Sequence, residues 1–266
     1  MNDIINLQIW QFSLIYLLLL IVLAVMKKCR INQAKLMIVA SIRMTVQLAL
    51  AGFVLTYIFQ NPHPAFTVAY LLAMTGFAIY RVLDKNRMLN RRFKAIIAVS
   101  VAASGISVLA FFIGAVVGES LFSPRYVIPI AGMLMGNTMT GVTLGLKAFR
   151  ENLTGQSAHV DAMLNIGAKP EKILLPFVRQ SLEMALLPTF NSMIGMGIVS
   201  LPGMMTGQIL SGTLPITAIM YQIAIMIAIC TVVCLSSFGA LYFGYKTLFN
   251  QRNQISLDVV GRGYAE

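Results

Sequence analysis

Residues 161–188 read DAMLNIGAKPEKILLPFVRQSLEMALLP and form the one polar, helix-forming insert in an otherwise apolar chain. Gly167 is suited to end a first short helix, because glycine readily adopts the left-handed conformation found just after many helices. Pro170 and Glu171 suit the first turn of a second helix, where a missing amide costs little and an acidic side chain complements the helix dipole. The pattern predicts a helix, a sharp turn and another helix.

The apolar residues of this insert recur with helical spacing, which predicts one face that packs and one that is polar. We interpret residues 156–182 as a cytoplasmic coupling helix that docks in a groove of a soluble partner. The alternative is an ordinary amphipathic loop helix resting on the membrane. The candidate docking residues are Asp161, Ala162, Gly167, Ala168, Lys169, Pro170, Glu171 and Lys172.

The composition outside this insert is that of a membrane protein. Hydrophobic residues make up 58% of the 266 residues and charged residues only 11%, whereas a soluble domain has about 25% charged residues. Several apolar runs reach the ~20 residues that cross a bilayer as a helix. We predict an all-α polytopic fold in a single transmembrane domain, residues 1–266. Its seven spans are roughly Leu7–Met26, Leu36–Phe59, Ala65–Leu83, Ala95–Val117, Tyr126–Leu146, Leu186–Leu210 and Ile216–Tyr245.

The basic residues predict the orientation. All but Arg43 and Arg125 of the 20 lysines and arginines fall on one side of these spans. Because cytoplasmic loops are enriched in basic residues, we expect the N-terminus outside and a cytoplasmic tail at residues 246–266. No basic residue precedes the first span and no small-residue cleavage site is present, so we expect an uncleaved anchor. The location expected is the cell membrane.

The net charge of +11 follows from this topology and favours contact with anionic membrane lipids. Nucleic-acid binding is not expected, because the basic residues are not interleaved with aromatics on one folded face. The three cysteines and two histidines show no metal-ligand spacing, and the metal ligands, if any, stay unassigned.

Polar residues within the spans predict the candidate path of a transported molecule. Arg43 and Gln47 share one face of span two, and an ionisable residue inside a span suggests a functional site. Equally, Arg43 lies close enough to the cytoplasmic end to reach the interface. In span five, Asn137 and Thr140 need partners or water at membrane depth. That span either lines a path or only packs.

Span six is predicted to be broken. Proline and glycine interrupt it repeatedly, and an interrupted helix at membrane depth is the best sequence indicator of a transport site. The expected helix-break or hinge positions in spans five and six are Pro129, Gly132, Gly136, Pro188, Pro202 and Gly203. The remaining candidate path residues are Glu183 at the cytoplasmic mouth, then Asn191, Ser200, Met204, Met205 and Gln208.

The insert resembles the cytoplasmic loop of ATP-binding-cassette importer permeases, in which an acidic residue and alanines precede a glycine and a Leu-Pro pair. The corresponding residues here are Asp161, Ala162, Gly167, Leu175 and Pro176. It departs in having Asp for Glu, Met163 for the second alanine and a shorter interval. With VIPIAGMLMGNTMTGV and SLPGMMTGQILSG, the chain, from about residue 36 to 250, resembles the FetB iron-export permease family, which includes plant aluminium-tolerance permeases.

The resemblance implies a permease subunit that pairs with a separate, FetA-like ATPase, as a homodimer in a complex of two permeases and two ATPases. The implied cargo is a metal ion, iron by resemblance. The chain lacks a phosphate-binding GxxxxGK[ST] loop, so we expect no enzymatic activity and no cofactor on it, with ATP and magnesium on the partner. The alternative is an ATP-independent secondary transporter or channel, which would favour acidic residues at mid-membrane. Cargo and direction are not fixed by sequence.

Overall fold

A computed structural model describes residues 8–248. The α-helices of this part are α1 (Ile9–Lys28), α2 (Ala34–Gln60), α3 (Pro64–Lys85), α4 (Arg91–Phe111), α5 (Pro124–Gly155), α6 (Ser157–Asn165), α7 (Pro170–Gly195), α8 (Gly203–Leu210) and α9 (Pro215–Phe238). A π-helical segment, Phe112–Val117, extends α4. Another, Gly239–Phe243, extends α9, and a 3₁₀ turn follows at Tyr245–Leu248.

Helix starts follow local chemistry. Prolines begin α3, α5, α7 and α9, where the missing amide has no helical partner. Asn90 caps α4 by accepting a hydrogen bond from the Phe93 amide at 2.6 Å. The Asn90 side-chain amide also donates to the Thr247 carbonyl at 3.0 Å, so the same residue joins the start of α4 to the turn after α9.

Helix α5 is the centre of the bundle and packs against α3, α4, α7 and α9. Two of its glycines allow close helix approach. A Cβ atom on Gly145 would lie 3.0 Å from the Ala185 Cβ and 3.1 Å from the Ser181 carbonyl of α7. One on Gly141 would collide with Val233 of α9. These small residues therefore bring α7 and α9 against α5, as small residues do in membrane helix pairs.

Two buried clusters lie at opposite ends of the bundle. The α6-end cluster joins the end of α3, the start of α4, the end of α5, α6, the start of α7 and the segment after α9, and includes Phe93, Phe149, Val160, Leu174 and Tyr245. The α8-end cluster joins the end of α4 with its π-helical extension, the start of α5 and the middle of α9, and includes Phe112, Ile130, Leu134, Ile225 and Ile229. Because opposite ends of α4 and of α5 belong to different clusters, the two clusters show that these helices run in opposite directions.

Helix α7 runs the length between these clusters. Its residues Ile173 and Phe177 belong to the α6-end cluster. Leu186, and Met196 just beyond its last turn, pack against the α8-end cluster. Helix α9 then returns in the opposite direction. Since α7 has 26 residues, it is about 39 Å long, enough to cross a bilayer.

Helices α1 and α2 stand apart from this body. In their hydrophobic windows no residue is buried. They touch each other through a hydrogen bond between the Tyr16 and Thr45 hydroxyl groups at 2.5 Å. Helix α2 meets α3 where the Arg43 guanidinium lies 5.8 Å from the centre of the Phe77 ring. The outward faces of both helices are therefore left for lipid or another protein.

The chain is a multi-pass helical membrane protein. Six helices in the described part are long and apolar enough to cross a membrane: Trp10–Lys28, Ala34–Gln60, Pro64–Lys85, Arg91–Val117, Pro124–Gly155 and Pro215–Leu248. They match six of the seven expected spans. The seventh expected span, Leu186–Leu210, is not one helix. It is divided between α7 and α8, and neither of these is both long and apolar enough to be counted among the six. Residues 1–7 of the N-terminus and 249–266 of the tail lie outside the described part.

Several expected boundaries are wrong. Span five was expected to end near Leu146, yet α5 continues to Gly155 and α6 begins at Ser157. Pro188 was expected to break span six, yet α7 passes through it without interruption. Packing against α5 and α9 offsets the hydrogen bond that an interior proline removes. The same holds for α5, which continues through Pro129 and the two glycines that follow, Gly132 and Gly136.

Candidate functional site

The predicted turn between α6 and α7 is confirmed. Gly167 has a φ of +82°, the left-handed conformation expected of a glycine that ends a helix. Its amide donates to the Leu164 carbonyl at 3.0 Å, and the Ala168 amide donates to the Met163 carbonyl at 3.0 Å. This pair of bonds is a Schellman motif. Pro170 then begins α7, as expected. The turn consequently has a defined shape.

One side of this segment is anchored and the other is exposed. Val160 of α6 is fully buried in the α6-end cluster, and Met163, Leu164 and Ala168 pack against that cluster. Ile166, at the tip of the turn, is 76% exposed. The segment is therefore held against the bundle while it presents an apolar tip.

The expected docking residues surround this tip. Ala162, Gly167, Lys169, Glu171 and Lys172 are exposed, Asp161 and Ala168 are half-buried, and Pro170 is buried against the bundle. Ile166 was not among the docking residues expected from sequence. A hydrophobic residue with helical spacing is expected to pack against the rest of the protein. Only the geometry of the turn shows that the Ile166 side chain is exposed.

Four candidate path residues lie on exposed faces of α5 and α7. Asn137 and Thr140 are exposed on α5, and Glu183 and Asn191 are exposed on α7. Asn137, Thr140 and Asn191 are rotated in the same sense from the contact line between these antiparallel helices, so they fall on one side of the pair. Glu183 lies two residues from both Ser181 and Ala185, which meet α5, and therefore points away from α5. At the α6 end, Asn152 of α5 donates to Gln180 of α7 at 3.2 Å. The two helices therefore share one partly polar surface, the α5–α7 face.

Glu183 was expected just before span six, and it lies 13 residues into α7. Helix α7 begins at Pro170, earlier than Leu186, the expected start of span six. Nearby on α5, exposed Lys147 and Glu151 are 3.7 Å apart, so charged side chains occur on this part of the bundle surface.

The chain breaks between α7 and α8, as the sequence predicted for span six. Residues 196–202 are not helical, and the Gly197 amide donates to the Ser200 carbonyl at 2.9 Å in a tight turn. Pro202 is the residue before α8, and Gly203 begins α8. The start of the break is close to Gln222, whose amide nitrogen lies 3.7 Å from the Met196 sulfur. Gln222 is seven residues into α9, about 10 Å from its start, so the break touches the bundle at Met196, while residues 197–201 are exposed.

The break gathers thioethers and unpaired amide oxygens. Met204 packs against the α8-end cluster, and Met205 is buried. In the described part, the buried side-chain oxygens without a hydrogen-bond partner are those of Thr138, Gln208, Gln222 and Ser237. Ser200 lies in the turn and is exposed. Thus Ser200 lies in the break, and Met204, Met205 and Gln208, also named from sequence, lie in the helix that follows it.

Gln222 and Met196 were not among the path residues predicted from sequence. Their side chains contact each other beside the break, so we add both to the candidate residues. The sequence did carry a signal for Gln222, since it is the one amide side chain in the apolar run PITAIMYQIAIMIAIC. A buried amide inside a transmembrane helix needs a partner. Met196 carried no such signal, because methionine also fills gaps in apolar cores.

Arg43 and Gln47 are not part of this site. Both are exposed on α2, and Arg43 lies over Phe77 of α3. Helix α2 makes few contacts with the body of the bundle, so these residues lie apart from the break. Metal-ligand clusters of the usual kind are also missing from residues 8–248, where no group of three or more His, Cys, Asp or Glu side chains could hold an ion.

A bundle of long apolar helices, with a broken helix at one end and a structured turn at the other, defines this chain as a multi-pass helical membrane protein. A family model described as "Uncharacterised protein family (UPF0014)" matches residues 9–249, and the chain belongs to that family. No solved structure matches it.

Curated relatives carry names from that family. The "UPF0014 membrane protein YjkA" of Bacillus subtilis is 31% identical over 249 residues, which cover 92% of this chain and 97% of the relative. The "Probable iron export permease protein FetB" of Escherichia coli is 33% identical over 214 residues, 80% of this chain and 81% of the relative. "Protein ALUMINUM SENSITIVE 3" of Arabidopsis thaliana is 33% identical over 223 residues, 84% of this chain and 81% of the relative.

Proposed function

We propose that this chain is the membrane permease subunit of an ATP-binding-cassette transporter that exports metal ions, with iron suggested by the name of FetB. A separate ATPase would dock on the turn between α6 and α7. The observation that carries the proposal is the form of this segment. An exposed apolar tip at Ile166 is held by a Schellman turn, and the next helix runs unbroken from Pro170 to Gly195.

The proposal includes seven membrane crossings. Helix α7 is too polar to qualify by hydropathy, yet it covers the distance between the two buried clusters and α9 returns along it. Its polar residues are tolerated where they face protein or water rather than lipid. With seven crossings and the basic residues on the cytoplasmic side, the N-terminus is outside and the α6 end is cytoplasmic. A soluble ATPase could then reach the turn.

The α5–α7 face supports a homodimer with the transport path between two copies. Asn137, Thr140 and Asn191 are exposed along helices that cross the membrane. Facing lipid with an amide group is unfavourable, because the hydrocarbon offers no hydrogen-bond partner. The Asn137 amide and the Thr140 hydroxyl already donate to backbone carbonyls one turn earlier in α5, and a second copy, or water in a path between the copies, would satisfy their remaining polar atoms and those of Asn191. Two permeases would then carry two ATPases, with ATP and magnesium bound on the ATPases.

Mechanical continuity suggests how the ATPase acts. Closure of two ATPases around nucleotide would move the α6–α7 turns, which are packed into the α6-end cluster. Helix α7 would transmit that movement because it is continuous over 26 residues. The break after Gly195 allows α7 to move relative to α8, so the path opens alternately to each side. Export requires that cargo bind the two states with different affinity.

The test is a pair of glycine substitutions. Gly167→Val places a β-branched residue at a φ of +82° and distorts the turn. Gly155→Val is the control, because Gly155 ends α5 with an ordinary φ and open space around its Cβ position. We expect Gly167→Val to abolish co-purification of the ATPase and ATP-dependent metal export, and Gly155→Val to retain both.

Equal ATPase binding and transport in the two variants would contradict the docking proposal. The alternative of an ATP-independent transporter predicts transport by the chain alone, without ATPase, in vesicles carrying an ion gradient. Transport by the chain alone in such vesicles would contradict the assignment as a permease subunit that depends on an ATPase.

A further inference from the structure

A groove runs between α4 and α9 on the side of this helix pair that faces away from α5. The two helices approach closely, since a Cβ atom on Gly239 would lie 2.6 Å from the Ser100 hydroxyl oxygen. Gly105 of α4 and Val233 of α9 meet α5 on the other side of this contact line. The groove therefore opens on the outer surface of the bundle.

Two apolar cavities follow one another along this groove. The α6-end cavity, of about 710 Å³, lies between residues 95–104 of α4 and residues 235–243 of α9 and its extension. The α8-end cavity, of about 430 Å³, lies between residues 107–116 and residues 224–231. At 1.5 Å per residue, residues 95–104 span about 14 Å, close to half of the ~30 Å hydrocarbon core. The α6-end cavity is therefore about as deep as one lipid leaflet.

The mouth of the α6-end cavity carries two basic side chains. Arg92 lies one helical turn before Ile96, on the face of α4 that lines this cavity. The Lys246 Nζ atom lies 4.8 Å from the centre of the Tyr242 ring, which stacks at 4.9 Å on Phe238 of the cavity wall. Arg92 and Lys246 are exposed, and neither forms an ion pair with another residue of the described part. Their positive charges are therefore available to a ligand at this mouth.

The α8-end cavity differs in the charges of the adjoining sequence. Residues 113–123, which follow the end of α4, contain one charged residue, the acidic Glu119. Residues 203–223, which lead into the α9 wall of this cavity, contain none. The two cavities thus have similar apolar walls, but only the α6-end cavity opens beside basic residues.

Shape and charge together identify the class of occupant. An apolar groove one leaflet deep fits an acyl chain, and basic residues between transmembrane helices at the membrane surface bind anionic lipid headgroups. A second copy of the chain fits less well. In a dimer with its two-fold axis normal to the membrane, Arg92 and Lys246 of both copies would lie together across the interface and repel each other.

We propose that the α6-end cavity is a binding site for an anionic phospholipid. An acyl chain lies along the groove between Val99 and Phe238, which are both largely exposed, and the phosphate binds Arg92 and Lys246. Because Arg92 belongs to α4 and Lys246 to the turn after α9, one headgroup joins the two sides of the groove. The inference goes beyond the proposed function, since it involves neither the cargo nor the ATPase.

The experiment uses phospholipids brominated on their acyl chains, which quench the fluorescence of a tryptophan that they touch. The chain has one tryptophan, Trp10, so Trp10→Phe supplies a silent background. Phe238→Trp reports on the α6-end cavity, and Ile227→Trp, in the wall of the α8-end cavity on the same helix, is the matched control. The full chain is placed in vesicles that mix phosphatidylglycerol and phosphatidylcholine, with bromine on one lipid and then on the other.

We expect the tryptophan of the α6-end cavity to prefer phosphatidylglycerol over phosphatidylcholine by about fivefold or more, and that of the α8-end cavity to show no preference. Arg92→Gln with Lys246→Gln should abolish the preference. Lys27→Gln with Lys28→Gln is the charge control, because these exposed residues end α1, which stands apart from the body of the bundle. The control should leave the preference unchanged.

Three results would overturn the proposal. The first is the same lipid preference at both tryptophans, and the second is a preference that survives Arg92→Gln with Lys246→Gln. The third is an α6-end tryptophan that neither lipid quenches, which would show that protein, such as a second copy, covers the groove. Phe243→Trp, in the wall of the same cavity, replaces Phe238→Trp if that variant does not fold. ATPase co-purification with the parent chain tests the proposed function separately, so the two proposals fail independently.

Discussion

The two ends of α7 differ in how they are built. At its first turns, Ile173, Leu174 and Phe177 are buried among apolar side chains from five other segments. At its last turn, the chain leaves the helix at Gly195 and passes through residues 196–202, where Ile198 is 90% exposed. The first turns of α7 are packed into the bundle. Beyond its last turn, Met196 still packs against the bundle, whereas the residues that follow are exposed. A helix built in this way can transmit movement from the packed end to the loose end.

This difference also separates the kinds of chemistry. The packed end carries the turn with an exposed apolar tip, which suits contact with a protein. The loose end leads into an exposed turn, and just beyond it the Met196 thioether meets the buried amide of Gln222 in α9. Three substitutions test the difference, in order of decreasing expected effect.

The largest effect is expected from Gly244→Ala, next to the packed end. An added methyl group would collide with the fully buried ring of Phe93. Overpacking a buried site costs about 1–3 kcal/mol or more, so thermal unfolding in detergent should begin several degrees lower. The control is Gly207→Ala in α8, where no atom lies within 4 Å of the added Cβ. Equal melting temperatures for the two variants would show that the two ends are packed alike.

A smaller effect, confined to binding, is expected from Ile166→Ser. The Ile166 side chain is 76% exposed in the isolated chain, so its loss should leave the melting temperature unchanged. If it fills a pocket of the ATPase, its removal should weaken ATPase binding about tenfold, since central apolar contacts are often worth 1–2 kcal/mol. Asn165→Ser, at the neighbouring exposed position, is the control. A lower melting temperature with unchanged ATPase binding would show instead that Ile166 packs within the chain.

The smallest effect is expected from Asn90→Ala. This change removes the cap of α4 and the bond to the Thr247 carbonyl, which tie the packed end together. Loss of a helix cap costs about 1 kcal/mol. Asn61→Ala is the control, because the Asn61 side chain bonds only the Tyr57 carbonyl within its own helix. A chemical denaturation series that gave the same stability for both variants would place the turn after α9 outside the cooperative unit.

Strong local signals allowed much of this structure to be predicted. Long apolar runs gave six of the crossings, and Gly167 with Pro170 gave the turn, because glycine and proline restrict the backbone wherever they occur. The broken helix at Pro202 and Gly203 was predicted for the same reason. Helix α7 was misread because Glu183 and Pro188 suggest a boundary. Packing against α5, through Ala185 and Gly145, overrides that local preference.

The pairing of side chains from distant segments could not be predicted. Met196 meets Gln222 across 26 positions of the chain, and neither residue type specifies the other. The separation of α1 and α2 from the body was equally hidden. Their sequences are as apolar as those of the central helices, and hydropathy does not distinguish contact with lipid from contact with protein.

Hydrogen exchange measured by mass spectrometry on the ATPase complex in nanodiscs tests the central claim most directly, namely that α7 carries movement from the turn to the break. Peptides covering residues 196–202 and residues 170–178 are compared with and without a non-hydrolysable ATP analogue. We predict that exchange changes at the break, stays low at the packed end, and becomes insensitive to nucleotide in Gly167→Val. Exchange at the break that ignores nucleotide in the intact complex would contradict the account.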